Sequence, residues 1–393
     1  MTARAADPLR SIPIATLDGN LPAYVDAAGT ISLADGARIS WCVVAEDRVH
    51  DPFDSTTVRQ SSDGAIVETA VRIAGGDAVL RTYAVPDGLV IDFENASPAA
   101  CALAIIVEPG TQPVHGPRPA SQSCVAGSRH GVLDLVTGGA TAPGSTDPGD
   151  ANGLLWPVAH RSSLLLFAGV QRPATIPSTT EVRRGWSARL ATGMRVDIAD
   201  RTLQHALDQA RIAILVEAPC ADAGIVRALE DWGFDAEGAI AWERLAFRDR
   251  RRLRRRVPEN GSWERLTAAQ QQRPGAALLN AVHDLLISAR HDVVDIAPSL
   301  PTEWLGVDLA AHDIPLRHGL LSFAIRWHGD RPALLWEAST ALELRSSLLA
   351  PSWATRDRSG EVLFDPPPTR LFGLASSSGP DETRSSPPMT SFD

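Results

Sequence analysis

The sequence predicts an α+β chain that is mainly β. An N-terminal antiparallel β-sandwich is followed by a short helical segment of about four helices and a small C-terminal β-domain. Three observations carry that reading. Up to about residue 190, short runs of Val, Ile, Leu and Thr alternate with Gly, Asp and Pro punctuation at regular intervals. From Asp200 the apolar spacing becomes helical. From about Val293 strand-length runs return. The expected boundaries are therefore 1–195, 196–292 and 293–365, with a disordered tail over 366–393.

Taken in order, "GTISLADGARISWCVVAEDRVHD" places Asp35-Gly36, a hairpin signal, between two alternating runs. "GAIVETAVRIAGGDAVLRTYAVPDGLVIDFEN" gives three strands turning at Gly75-Gly76 and at Pro86-Asp87-Gly88, and "AACALAIIVEP" and "SSLLLFAGV" read as more deeply buried strands. Many short antiparallel strands of this kind each bury one face, which favours a sandwich or barrel. "ATAPGSTDPGDAN" (Ala140 to Asn152) reads as a loop. Next, "DRTLQHALDQARIAILVEA" spaces Leu203, Leu207, Ile212 and Leu215 on one helical face, with Asp200 as N-cap. "ADAGIVRALEDWGFDAEGAIAWERLAFRDRRRLRRRVPE" reads as two helices, the first closed by Gly233 and the second capped by Asp235. "PGAALLNAVHDLLISAR" gives a fourth helix, and "VVDIAPSLP", "IPLRHGLLSFAIRWHGD", "RPALLWEAS" and "ALELRSSLL" give the C-terminal strands.

Composition narrows the function classes. The 393-residue chain is 44% apolar and 21% charged, as in globular proteins, and its net charge of −10 argues against general nucleic-acid binding. It has no apolar run of the roughly 18 residues that a membrane span needs. The N-terminus lacks the apolar core of a secretory signal, which predicts a cytoplasmic protein. Four cysteines without C-x-x-C spacing indicate neither a zinc site nor a disulfide framework. All 37 basic residues are Arg, so chemistry that needs a lysine amine is excluded. No P-loop, dinucleotide fingerprint, nucleophile elbow or metalloprotease helix is present, and no cofactor or metal is predicted.

The C-terminal stretch "DIAPSLPTEWLGVDLAAHDIPLRHGLLSFAIRWHGDRP" resembles the C-terminal β-domain of six-hairpin (α/α)6 glycosidases. Pro298, Leu300, Pro301, Trp304, Gly306, Gly319, Trp327 and Gly329 stand in the places of the family pattern. The order of β-rich region, helices and β-domain is similar to the plan of that family, whose members carry an N-terminal β-supersandwich and a helical toroid. Here the helical region is strongly shortened, to about 90 residues. The resemblance implies a carbohydrate-associated protein, with sugar binding or an accessory role ahead of hydrolysis. The alternatives are a glycoside hydrolase whose carboxylate pair is completed by oligomerisation, and a scaffold or assembly protein without a small ligand.

Several groups are candidates for such chemistry. Glycoside hydrolysis needs two carboxyls about 5–9.5 Å apart, and Asp231 and Glu237 in "LEDWGFDAEGAIAWER" are the candidate pair, or else helix-end caps. Trp41, Asp47 and His50, together with Trp156 and His160, could stack on and fork onto sugar hydroxyls; the alternative is a hairpin tip with satisfied polar groups. In "FAIRWHGDRPALLWE", alternation puts Phe323, Ile325 and Trp327 on one face and Arg326 and His328 on the other, with Glu337 pointing outward too. With His312, Arg317 and His318 just upstream, this is the densest polar cluster of the chain. The run Arg248 to Arg256 is either a solvated helix face or a contact to an acidic surface of a second copy or partner. Convergence of Trp41, Trp156, His160 and Arg326–His328 on one groove would favour sugar binding, and dispersal would favour the scaffold.

Overall fold

The structure, a computed structural model, describes residues 11–17, 23–33, 38–86, 88–108, 114–115, 117–126, 150–169, 173–218, 222–254, 261–272 and 274–367. Its class is α+β and mainly β, with four sheets among the described residues.

Two antiparallel sheets form the N-terminal sandwich. In the first, strands run in the spatial order Ile12–Ile14, Ala23–Val25, Ile31–Leu33, Arg38–Ala45, Cys101–Val107, Asp150–Val158 and Ser121–Ala126, with Arg48–His50 paired on Arg38–Ala45. In the second the order is Val114–His115, Ser162–Gly169, Gly88–Asn95, Gly76–Val85, Ile66–Ile73 and Arg59–Ser62. Alternation selects the core: Ile39, Trp41, Val43, Leu103 and Ile105 from one sheet meet Val67, Leu80, Ile91, Phe93 and Leu166 from the other. The opposite face of the second sheet, through Ile66, Tyr83, Val90 and Phe167, is also covered, by the helices. That explains why Ser162–Gly169 in this sheet reads as deeply buried.

The turn at Gly75 is as expected, with φ +74°, and the three strands around it pair in succession. The Asp35-Gly36 turn lies outside the described residues, but the strands flanking it pair antiparallel. The loop expected over Ala140–Asn152 is corrected at its end, because Asp150, Ala151 and Asn152 open the strand Asp150–Val158, while 140–149 lie outside the described residues. So do residues 368–393 of the expected tail.

Seven helices are seen among the described residues: α1 (Thr179–Leu190), α2 (Arg201–Glu217), α3 (Ala223–Asp231), α4 (Asp235–Arg244), α5 (Phe247–Arg254), α6 (Trp263–Gln270) and α7 (Ala276–Leu286). Helix α1 corrects the reading of β-structure up to residue 190. Its start is a capping box in which Ser178 and Glu181 satisfy each other's backbone N–H, but Trp186 is its one buried side chain, so no apolar period announces it. Asp200 caps α2 as expected, accepting from the N–H groups of Thr202 at 2.9 Å and Leu203 at 3.1 Å. Gly233, with φ +78°, follows the end of α3. Asp235 sits in the first turn of α4 and Phe234 holds the cap position, a shift of one residue that still lets the carboxylate face the helix N-terminus. The segment expected to hold four helices holds six, because the region read as two helices forms α3, α4 and α5 and the short α6 was not foreseen.

The C-terminal strands form two sheets. One orders Arg195–Ile198, Leu309–Leu316, Gly319–His328, Arg331–Ala338 and Ser359–Leu363; the other orders Ile287–Arg290, Val293–Ile296, Glu343–Ser346 and Ala350–Thr355. Both share one apolar core with the helices. The expected boundary at 195/196 therefore falls inside a strand of the C-terminal sheet, and that at 292/293 falls in the turn of the hairpin Ile287–Ile296. Among the described residues no helix is long and apolar enough to cross a membrane.

Candidate functional site

Helix α7 has the sequence AALLNAVHDLL, and every side chain from Leu278 to Leu286 is buried. A helix enclosed on all sides must find partners for its polar residues. Asn280 donates from Nδ2 to the Gly224 carbonyl at 3.0 Å, fastening α7 to the start of α3. Asp284, 2% exposed, is bound by two guanidiniums from other helices. Arg227 of α3 donates to Asp284 Oδ1, and Arg265 of α6 lies 3.2 Å from Oδ2. Arg227 also donates from Nε to Asp231 Oδ2 at 3.0 Å, one helical turn along α3.

His283 completes the cluster. Its Nδ1 is buried, 3.7 Å from Asp231 Oδ2 and 3.9 Å from Asp284 Oδ1. The two carboxylates are thus no farther apart than those two reaches through one nitrogen permit, under the ~9.5 Å upper limit for a glycosidase pair. Burial pushes the Asp284 carboxyl up, but the His283 ring and the Arg227 guanidinium outweigh it and hold it below the usual range.

Asp231, His283 and Asp284 form the floor of a cleft of about 380 Å³. The hairpin Ile287–Ile296 contributes His291, the turn between Leu309–Leu316 and Gly319–His328 contributes Arg317 and His318, and Leu253 of α5 closes a further wall. His291 stands at φ +54° in its hairpin turn. The arrangement can accept hydrogen bonds at Asp231 and donate them from Arg317, His318 and His291, with aliphatic side chains such as Ile287 and Leu342 in the same lining.

Three residues chosen from the sequence, Asp231, Arg317 and His318, therefore meet in one place, and the others do not join them. Glu237 lies outside this cleft and is ion-paired with Arg189 of α1. Trp41 is 5% exposed, donates its indole N–H to the Ala28 carbonyl at 2.9 Å and packs edge-on against Phe93. Trp156 is 3% exposed and donates to the Pro117 carbonyl at 2.7 Å. Both rings belong to the sandwich core and present no face to a sugar, which corrects their reading as stacking platforms. Asp47 stands in the exposed turn after Arg38–Ala45 at φ +57°, His50 pairs opposite Val43, and His160 is exposed in the turn before Ser162–Gly169. His312 lies 3.4 Å from Asp197.

The faces expected for "FAIRWHGDRPALLWE" are observed, with Phe323, Ile325 and Trp336 buried and Arg326, His328 and Glu337 exposed. Yet the three do not cluster. Arg326 pairs with Asp308 at 3.2 Å, and Glu337 is registered opposite Ser322, four residues or about 13 Å along the strand from Arg326. In the Arg248–Arg256 run, Arg250 is committed to the carbonyls of Leu245 and Glu243, closing the C-terminus of α4. Among the described residues no three His, Cys, Asp or Glu are grouped to hold a metal ion.

Sequence reasoning passed over His283, Asp284, His291, Arg227 and Arg265. The signal for the first two was present, in a His-Asp pair inside a helix whose remaining residues are apolar except Asn280, a pattern that obliges a buried network. Compared with known proteins, the chain matches no family model and no curated protein.

Proposed function

We propose that the protein binds a small polar ligand of the saccharide class in the cleft floored by Asp231, His283 and Asp284, without cleaving it. One observation carries this reading: carboxylate acceptors and Arg and His donors from α3, α7 and two strand turns converge on one concave surface. Vicinal hydroxyls need that mixture of acceptors and donors. Binding is favoured over hydrolysis because a glycosidase must keep one carboxyl protonated near neutral pH, and Asp284 is held ionised by its neighbours. A glycan array probed with the wild-type chain and with Arg317→Ala and His318→Ala tests the proposal, alongside a reducing-sugar assay. Retention of a glycan by the wild type alone, with no turnover, is expected. An array without a single retained glycan sinks it.

The scaffold reading keeps support from a different observation. Trp41, Trp156, His160 and Arg326–His328 do not share a groove, and Phe247, 81% exposed, opens the Arg-rich α5 with exposed Ile240 on the neighbouring α4. If this surface is an assembly face, light scattering will report an oligomer that Phe247→Asp converts to monomer. A wild-type chain that is monomeric at all concentrations removes this reading.

A further inference from the structure

From the charge balance of the cleft we infer that its ligand carries a carboxylate, so that the saccharide class is that of uronic acids, with the carboxylate seated at Arg317. This inference rests on the saccharide-binding reading. The two floor carboxylates already have their counter-charges, because Arg227 serves both Asp231 and Asp284 and Arg265 serves Asp284. Arg317 differs. It is exposed in the turn after Leu309–Leu316, lines the cleft and has no ion-pair partner among the described residues.

An unengaged guanidinium offers a planar fork of donors that fits a carboxylate through two parallel hydrogen bonds. His318 and His291 line the same cleft and add N–H donors. The wall formed by α5 comes from the most arginine-dense stretch of a chain whose net charge is −10, so an acidic ligand meets a locally favourable field on an otherwise repelling molecule. Charge number decides between anions. Among the described residues Arg317 is the one guanidinium lining the cleft, which matches a monoanion, whereas a phosphate dianion would bring a second charge toward Asp231 and Asp284. Neutral sugars leave Arg317 unused.

Calorimetric titration of the full chain with five probes tests this: galacturonate, glucuronate, the methyl ester of each as a neutral match, and galactose 6-phosphate. At least one free acid should bind about tenfold or more tighter than its ester, and Arg317→Gln should erase that gap. Arg317 is exposed, so the variant should melt with the wild type, which checks that a lost gap is not lost folding. Equal affinity for acid and ester overturns the carboxylate assignment and leaves saccharide binding standing. Tightest binding of the phosphate probe overturns it in favour of a phosphorylated sugar. An acid preference that survives Arg317→Gln moves the carboxylate away from Arg317 and overturns the seat. If neither acids nor esters bind while the array also stays blank, the underlying saccharide reading falls with it.

Discussion

The sandwich core and the helix-sheet core solve burial in different ways. Between the two N-terminal sheets the interior is apolar, and the polar groups buried at its margin are neutral. Asn95 donates to the carbonyls of Ala99 at 2.8 Å and Ala159 at 3.1 Å, and Ser97 donates to Asn95 Oδ1 at 2.7 Å, so a loop is pinned without charge. The second core encloses ions. Besides Asp284 it holds Arg211, which lies 6.0 Å from the Trp232 ring and 5.9 Å from Phe234, and donates to the Leu190 carbonyl. Burial drives the Arg211 guanidinium below its usual value. Neutral amides need only nearby carbonyls, but buried ions need counter-ions: Arg211 has Asp208 at 3.8 Å on its own helix, whereas Asp284 draws Arg227 and Arg265 from other helices. The charged core is therefore cross-linked over long sequence distances, and it is the core that opens onto a cleft.

The sharpest way to break this comparison is to damage each core separately. Phe93 is 0% exposed, and Phe93→Ala should cost about 3–5 kcal/mol in urea denaturation by leaving a cavity. Arg227→Met should cost a similar ~3–5 kcal/mol, by stranding Asp284 rather than by losing volume. The two are told apart by rescue: adding Asp284→Asn should restore part of the loss in Arg227→Met and none in Phe93→Ala. Equal behaviour of both backgrounds would mean that the ion network is not what holds the helices together.

Acid titration sharpens the same contrast. The folded carboxyl of Asp284 is held below its unfolded value, so its contribution is present above the ordinary Asp pKa of about 3.9 and is lost as pH falls through the lower folded value. Asp284→Asn should flatten the pH dependence of the melting temperature in that acid window. A slope unchanged by the substitution would assign acid sensitivity to other groups. The smallest effect is expected at Asp200→Ala, about 1 kcal/mol from the lost cap of α2, measured in the same denaturation.

Legibility in the sequence follows these physical differences. Strands were readable because alternation and Gly or Pro turns are local, and α2 was readable from Asp200 and its leucines. Helices α1 and α6 were not, because each is mostly polar, with Trp186 or Leu266 and Ala269 as their buried side chains. Alternation also separates two faces without saying which is inside, and so Trp41 could be read as a ligand platform when its face was the core. Of the cleft, Asp231, Arg317 and His318 were picked for their chemistry. The Arg227–Asp284 pair was not, since its members are 57 positions apart and only packing unites them.

The strand Arg195–Ile198 is registered against Leu309–His312, after six intervening helices. During synthesis this segment must wait, unpaired, until more than a hundred later residues have left the ribosome. Its partner closes a long loop, the kind of step that sets a slow folding rate. Cutting the gene between Ile198 and α2 would leave an orphan ribbon on one fragment and a raw, aggregation-prone edge on the other. The two halves are separable on paper but not in expression.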